Sequence, residues 1–203
     1  MKKLLLIIIV FVTSLSYCQT AEEYLDRAIT KVNLKDYRGS IEDYSKAIKI
    51  DPNYAVAYGN RGVSKHNLQD YQGAIADYSK SIKLNPKEWY RYEQRGISKD
   101  SLQDHQGAIA DYTKAIEFRP DEVRLYAFRG ICKYNLQDYQ GAIADFSKAI
   151  EIRPNDGGCY YYRGLYKLKL NQNESACSDF NKAKELGSKE ALEMINKNCN
   201  NKK

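Results

Sequence analysis

The chain has 203 residues, with 32 Lys or Arg against 26 Asp or Glu, so the formal net charge is +6. The basic residues are spread along the whole chain, which argues against a nucleic-acid-binding protein, because such proteins gather positive charge on one face. The five cysteines and two histidines form no zinc motif, and the sequence has no nucleophile or phosphate-loop motif. We therefore expect no enzymatic activity, no cofactor and no metal site.

The first residues predict a secretory signal peptide over residues 1–18. A basic start precedes an apolar run over residues 4–12, which is followed by small and polar residues. The run is shorter than the roughly 20 apolar residues that a membrane-spanning helix needs. We predict removal of the segment and an exported protein that is periplasmic, envelope-associated or secreted. The alternative is a lipoprotein signal ending before Cys18, although Tyr17 departs from that pattern; only lipidation at Cys18 would attach the protein to a membrane.

From residue 21 onward the sequence repeats with a period of 34 residues. The segment 68–86, LQDYQGAIADYSKSIKLNP, returns as LQDHQGAIADYTKAIEFRP and again as LQDYQGAIADFSKAIEIRP. A fixed period of this length predicts stacked supersecondary units instead of one globular core. Each unit has the pattern of two amphipathic helices joined by a short turn, in the second unit over residues 55–67 and 71–84.

Small and aromatic residues hold fixed places within the units. Position 4 is aromatic, position 8 is Gly or Ala and position 24 is aromatic; in the second unit these residues are Tyr58, Gly62 and Tyr78. The pattern resembles the tetratricopeptide repeat (TPR). The resemblance implies an all-α, right-handed α-solenoid of five helix-turn-helix units. The predicted units are 21–54, 55–88, 89–122, 123–156 and 157–187.

One further helix is predicted after the fifth unit, over residues 188–199. Ser188 is expected to be its N-cap, and Ala191, Leu192 and Ile195 lie on one face. A helix of this kind would cover the apolar end of a repeat array. Residues 200–203 are predicted to be disordered.

The cysteines near the C-terminus suggest a disulfide. Cys177 lies ten residues before Gly187 and Cys199 lies twelve after it, so two antiparallel helices that meet at Gly187 bring the cysteines level. An exported protein meets oxidising conditions. We predict a disulfide between Cys177 and Cys199; the alternative is two free thiols.

Two charged positions recur in every unit. Position 7, commonly leucine in the family, is Arg27, Arg61, Arg95, Arg129 and Arg163, and position 23 is Asp43, Asp77, Asp111, Asp145 and Asp179. A charge on a packed helix face needs a partner. We predict a ladder of Arg–Asp pairs joining neighbouring helices.

Residues that recur in every unit serve folding, so the residues that vary between units are free to serve recognition. Positions 2, 5, 6, 9, 12 and 13 share one side of each first helix, and the TPR resemblance implies that this side lines a concave peptide-binding groove. Its aromatic and amide side chains suit a bound peptide or helix. The predicted groove residues are Asn60, His66, Asn67, Tyr90, Gln94, Asp100, Arg124, Phe128, Tyr134, Asn135, Tyr161, Tyr162 and Lys169.

The two histidines are expected to have no catalytic role. His105 stands where three other units have tyrosine, which favours a packing role, and His66 is expected to face solvent. The sequence thus predicts an exported, non-enzymatic scaffold or adaptor that binds a protein or peptide segment in its groove. The alternative is an envelope-associated assembly component that contacts its partners through its convex face or its ends.

Overall fold

A computed structural model describes residues 19–199; the predicted signal peptide and the predicted C-terminal tail lie outside this range. The described residues form helices and no strands, and consecutive helices pack against each other, which confirms the all-α solenoid. No described helix combines the length and apolar character needed to cross a membrane. The helices are α1 Ala21–Asn33, α2 Tyr37–Ile50, α3 Ala55–Asn67, α4 Tyr71–Leu84, α5 Trp89–Ser101, α6 His105–Phe118, α7 Val123–Asn135, α8 Tyr139–Ile152, α9 Gly157–Lys169, α10 Asn173–Glu185 and α11 Glu190–Asn198.

The turn inside each unit has a local cause. In the second unit Gln69 adopts φ +63°, and the next residue, Asp70, caps α4 by accepting a hydrogen bond from the N–H of Gly73 at 2.9 Å. The carboxylate lies so close that a Cβ at Gly73 would overlap it. The cap and the glycine recur together in the first four units, and the fifth unit has Gln172 and Ser175 in their places. The two residues therefore form one cap structure.

Small residues set the spacing between the two helices of a unit. Tyr78 of α4 is fully buried, and a Cβ added at Gly62 of α3 would lie 2.8 Å from its ring. The equivalent glycines of the next three units face buried rings in the same way. A larger residue at this position would push the helices apart.

The predicted Arg–Asp ladder is confirmed in all five units. In the third unit Arg95 donates from Nε to Asp111 Oδ2 at 2.9 Å and from Nη2 to Asp111 Oδ1 at 2.6 Å. The same guanidinium donates from Nη1 to Ser79 Oγ of the preceding unit at 3.0 Å. Arg61, Arg95, Arg129 and Arg163 thus each join three helices, namely both helices of their own unit and the second helix of the unit before.

The ladder contains a second cation that the sequence analysis missed. Lys99 Nζ lies 2.8 Å from Asp111 Oδ2, and Lys stands at this position, 11, in every unit. The paired lysines are Lys31, Lys65, Lys99, Lys133 and Lys167. One buried aspartate therefore balances an arginine and a lysine in each unit, and in the first unit Lys46 also lies 3.7 Å from Asp43.

The C-terminal helix differs in detail from its prediction. Its N-cap is Lys189, not Ser188, whose hydroxyl instead donates to Glu190 Oε2 at 3.0 Å. Ala191 and Ile195 are buried against α10, whereas Leu192 is 47 % exposed. Successive residues of an α-helix are rotated by about 100°, so Leu192 lies away from the face that carries Ala191 and Ile195.

The C-terminal helix is also tied covalently to the array. Cys177 of α10 and Cys199, the C-cap of α11, are joined in a disulfide, with their Cα atoms 5.6 Å apart. The pairing is the one expected from the sequence. Cys132 and Cys159 are free and buried.

Candidate functional site

The groove face is the surface formed by positions 2, 5, 6, 9, 12 and 13 of the first helix of each unit. A cavity on this face, the C-terminal pocket, has a volume of about 650 Å³. Only residues of α7, α9 and α11 line it, so the second helices contribute nothing to its wall. The lining residues are Ile131, Tyr134, Asn135, Tyr162, Leu165, Tyr166, Leu168, Lys169, Met194, Lys197 and Asn198.

A second cavity of about 430 Å³ continues from the C-terminal pocket. The two cavities share Ile131 and Tyr162. Tyr162 is 41 % exposed and its ring lies 5.6 Å from the buried ring of Phe146. Tyr162 thus lies between the two cavities, with one side of its ring packed against Phe146 and the other side accessible to a ligand.

Stacked tyrosines form one wall of the C-terminal pocket. The rings of Tyr134 and Tyr166 are parallel, with centroids 4.5 Å apart, and Tyr166 is buried. Burial raises the pKa of Tyr166 well above its usual value, so its hydroxyl stays neutral. The wall is therefore rigid, aromatic and uncharged.

The groove face is electrically polarised from end to end. At the C-terminal pocket the charged lining groups are Lys169 and Lys197, both exposed, and no acidic residue of the described chain lines the cavity. At the other end, in the first unit, the exposed charges at positions 2 and 6 are Glu22 and Asp26. A ligand with charges of opposite sign at its two ends would have a preferred direction in this groove.

Arg124, a predicted groove residue, is already paired. Its Nε lies 2.8 Å from Glu93 Oε1 and 3.5 Å from Glu122 Oε1. Glu93 is only 2 % exposed, and burial raises the pKa of its carboxyl group. Arg124 therefore covers a buried carboxylate of the preceding unit, while its side chain, which is 53 % exposed, lines the second cavity.

The sequence analysis missed a buried cation on the N-terminal half of the array. Arg91 is 4 % exposed, its Nη2 donates to Asn60 Oδ1 at 2.9 Å, and its guanidinium lies 4.6 Å from the centroid of the Tyr90 ring. Its side chain occupies the space that a Cβ at Gly59 would fill. The residue equivalent to Arg91 in the preceding unit is Ala57, so the arginine does not recur. The one sequence signal for this contact is the pair of Gly59 and Arg91, 32 residues apart.

Asn60 also lines a smaller cavity on the groove face. This cavity has a volume of about 170 Å³ and is lined by Ile29, Val32, Tyr44, Asn60 and Val63. Burial raises the pKa of Tyr44 to about 12. The cavity is therefore a small, mainly apolar depression with one amide at its edge.

Two predicted groove rings are occupied by packing. Phe128 lies 5.6 Å from the buried ring of Tyr112, and Tyr161 lies 6.1 Å from the ring of Phe180. Neither residue lines a cavity described above. Both rings pack on buried aromatic residues beneath the groove face, and their part in ligand binding stays a prediction.

The polar members of the predicted set are divided between the surface and internal contacts. His66 does not face solvent as expected: its Nδ1 lies 2.9 Å from Ser98 Oγ and its ring lies 5.1 Å from that of Tyr71. Burial lowers the pKa of His66. Asn67 is exposed and donates to the carbonyl of Val63 at 2.8 Å.

The remaining predicted residues differ in their surroundings. Gln94 is partly exposed and its carbonyl accepts from Ser98 Oγ at 3.0 Å. Asp100 Oδ1 lies within hydrogen-bond distance of His105 Nδ1, at 2.7 Å. His105 therefore has the expected packing role, and its contact with Asp100 is polar. The structure thus brings Tyr134, Asn135, Tyr162 and Lys169 together in one pocket and leaves the other predicted residues apart from it.

The helical pairs, the ladder and the open groove face define a helical-repeat protein whose variable surface is built from first helices. Three family models match it: the tetratricopeptide repeat over residues 55–88 and 123–156, a TPR repeat over 32–69, and a further tetratricopeptide repeat over 91–122. Together they span more than half of the chain. The chain belongs to the tetratricopeptide-repeat family.

Solved structures show the same fold. A crystal structure of MamA is 24 % identical, has a TM-score of 0.79 and covers 85 % of this chain and 94 % of that chain. MamA 41-end from Desulfovibrio magneticus RS-1 is 18 % identical, with a TM-score of 0.77 and coverage of 82 % and 94 %. YrrB, described as a TPR protein with an unusual peptide-binding site, is 19 % identical, with a TM-score of 0.77 and coverage of 87 % and 91 %. Comparison with curated protein sequences gives no match.

Proposed function

We propose that the protein is a non-enzymatic scaffold that binds a peptide segment along its groove face, with one apolar or aromatic side chain of the peptide in the C-terminal pocket. The observation that carries the proposal is the pocket itself. Its volume of about 650 Å³ lies in the range of ligand sites in general. YrrB supports it as a protein of the same fold that is described as having a peptide-binding site.

The chemistry of the lining indicates the kind of segment that fits. Tyr162 offers a large ring at low entropic cost, and Met194 adapts its shape to a bound side chain. Lys169 and Lys197 add two positive charges to this apolar wall. The favoured ligand is therefore a segment in which an acidic residue lies beside an apolar or aromatic one.

The direction of the segment follows from the polarised groove face. Glu22 and Asp26 favour a basic group at the far end, and Lys169 and Lys197 favour an acidic group at the pocket. Binding needs little rearrangement, because the first helices are fixed by the ladder beneath them. The groove is a preformed surface, and a preformed surface lowers the entropic cost of binding.

Export forms part of the proposal. Residues 1–18 have the composition of a secretory signal, and the Cys177–Cys199 disulfide supports an oxidising compartment. Mass spectrometry of the protein purified from its native source tests this point. A mature N-terminus at Gln19 or a lipidated Cys18 supports export, and an intact N-terminal segment in the cytoplasmic fraction refutes it.

The binding proposal is tested by selecting peptides from a random library on the immobilised protein and measuring their affinities by fluorescence anisotropy. Enriched peptides are expected to combine an acidic residue with an apolar or aromatic one. Tyr162→Ala and Lys169→Ala are each expected to weaken binding about tenfold or more, as for contact residues at the centre of an interface. Phe118→Ala and Lys184→Ala are the matched controls, because both residues are exposed on second helices.

The outcome also separates the two candidate functions. Loss of binding in the groove variants alone supports the groove scaffold. Equal affinity of all four variants, or loss only in the second-helix controls, refutes groove binding and favours an assembly component that uses its convex face.

A further inference from the structure

Three departures from the repeat pattern meet at the junction of the third and fourth units. Asp100 is the only acidic residue at position 12, His105 replaces the tyrosine found at position 17 of three other units, and Cys132 is the only cysteine at position 10. They lie on three different helices, α5, α6 and α7. Their ligand atoms nevertheless all lie within 4.8 Å of one another.

The three side chains already contact each other. Asp100 Oδ1 accepts from His105 Nδ1 at 2.7 Å and from Cys132 Sγ at 3.3 Å. Cys132 is fully buried, whereas the side chains of His105 and Asp100 are 20 % and 33 % exposed. The cluster therefore has a sulfur at its base and opens through its carboxylate and imidazole towards the surface.

The neighbouring junction shows what the repeat does without this combination. There the same three positions hold His66, Tyr71 and Ser98, which make an edge contact between rings and a hydrogen bond of 2.9 Å. The His66 imidazole is the single strong metal ligand among these three residues. Two units can therefore stack at these positions without three metal-ligating side chains.

We propose that Asp100, His105 and Cys132 form a site for a divalent transition-metal ion of the zinc type. A thiolate, an imidazole and a carboxylate are the three ligand classes that Zn²⁺ uses in proteins, and three protein ligands leave a fourth position for water or another donor. As Cys132 Sγ bonds to the metal, its thiol proton passes to solvent. The metal then takes the place of the hydrogen bonds that Asp100 now accepts.

The proposed site is independent of the C-terminal pocket, since none of its residues lines that cavity. It would join the first helix of one unit to both the second helix of that unit and the first helix of the next. Metal binding is therefore expected to stabilise this junction and to raise the melting temperature. Peptide binding at the pocket can fail while the metal site is present, and the reverse also holds.

The test is titration of the purified full-length protein with Co²⁺ alone under anaerobic conditions, followed by displacement with Zn²⁺. Wild type is expected to bind one ion with a thiolate-to-cobalt charge-transfer band and a tetrahedral d–d spectrum. The variants Cys132→Ser and His105→Tyr are expected to fold, because each introduces the residue that other units have at that position. Both are expected to abolish the band or to weaken binding at least about tenfold.

Cys159→Ser and His66→Tyr are the matched controls, because Cys159 is the other free thiol of the described residues and His66 is the other histidine of the sequence. Both are expected to keep the band and the affinity of wild type. The proposal is overturned if wild type shows no stoichiometric charge-transfer band, or if the cluster variants and the controls bind Co²⁺ equally well. A rise in melting temperature with Zn²⁺ in wild type that is absent in Cys132→Ser is the second, independent readout.

Discussion

Removal of one aspartate of the ladder gives the sharpest test of how the array is held together. Asp111 is 3 % exposed and its carboxylate accepts from Arg95 twice, at 2.9 and 2.6 Å, and lies 2.8 Å from Lys99 Nζ. Asp111→Ala leaves both cations without their anion. Breaking a buried pair in this way costs about 3–5 kcal/mol.

The lower end of that range is expected, because the Arg95 and Lys99 side chains are each 19 % exposed and can turn towards water. A loss of about 3 kcal/mol corresponds to a fall in melting temperature of roughly 6–12 °C for a chain of this size. Circular dichroism during a thermal melt measures it. Asp121→Ala is the control, since Asp121 is 69 % exposed and paired with Arg119 on the surface.

The control is expected to leave the melting temperature unchanged. Asp111→Asn keeps the shape of the side chain and removes its charge, so it is expected to fall between wild type and Asp111→Ala. A double-mutant cycle with Arg95→Ala then isolates the coupling between the two groups. If Asp111→Ala has the same melting temperature as the Asp121→Ala control, the carboxylate is solvated and the ladder does not stabilise the fold.

Three further predictions concern packing, pH and the disulfide. Gly96→Ala places a Cβ 2.9 Å from the Tyr112 ring, so it is expected to cost about 1–3 kcal/mol in a denaturant titration. The hydrogen bonds from Arg27 lower the pKa of Asp43 from 3.8 to about 2. The contribution of Asp43 to the free energy of unfolding is therefore complete above pH 3.8 and is lost as the pH falls through about 2. The fall in melting temperature between neutral and acidic pH is expected to be smaller in Asp43→Asn than in wild type. Reduction of the Cys177–Cys199 disulfide is expected to cost about 3 kcal/mol and to speed hydrogen exchange in α11, and unchanged exchange would contradict this.

The periodic part of the structure was predictable from the sequence, because a repeat makes each position visible five times. The helix bounds of the second unit and the Arg–Asp pairs follow from that redundancy. Lys99 and its equivalents carry the same signal, since lysine stands at position 11 in every unit. The prediction paired position 23 with position 7 alone.

Contacts between neighbouring first helices were not predictable in the same way. Arg91 reaches Asn60, and Cys132 reaches Asp100, across separations of 31 and 32 residues. Such pairs occur once each, so no recurrence marks them. The ion pair of the predicted groove residue Arg124 with Glu93 of the preceding unit was therefore not predicted.

The ladder also fixes the order in which the array comes apart. Arg61 and the later arginines each donate to a Ser or Thr of the unit before, whereas Arg27, among the described residues, donates to Gln19 at 3.4 Å. The side chain of Arg27 is 39 % exposed, against 18 % for Arg61. In a linear array, where each unit depends on its neighbours, fraying is therefore expected to begin at α1 and α2 and to travel towards the disulfide-tied end. The groove is then expected to lose its acidic end first, while the pocket at the other end stays folded.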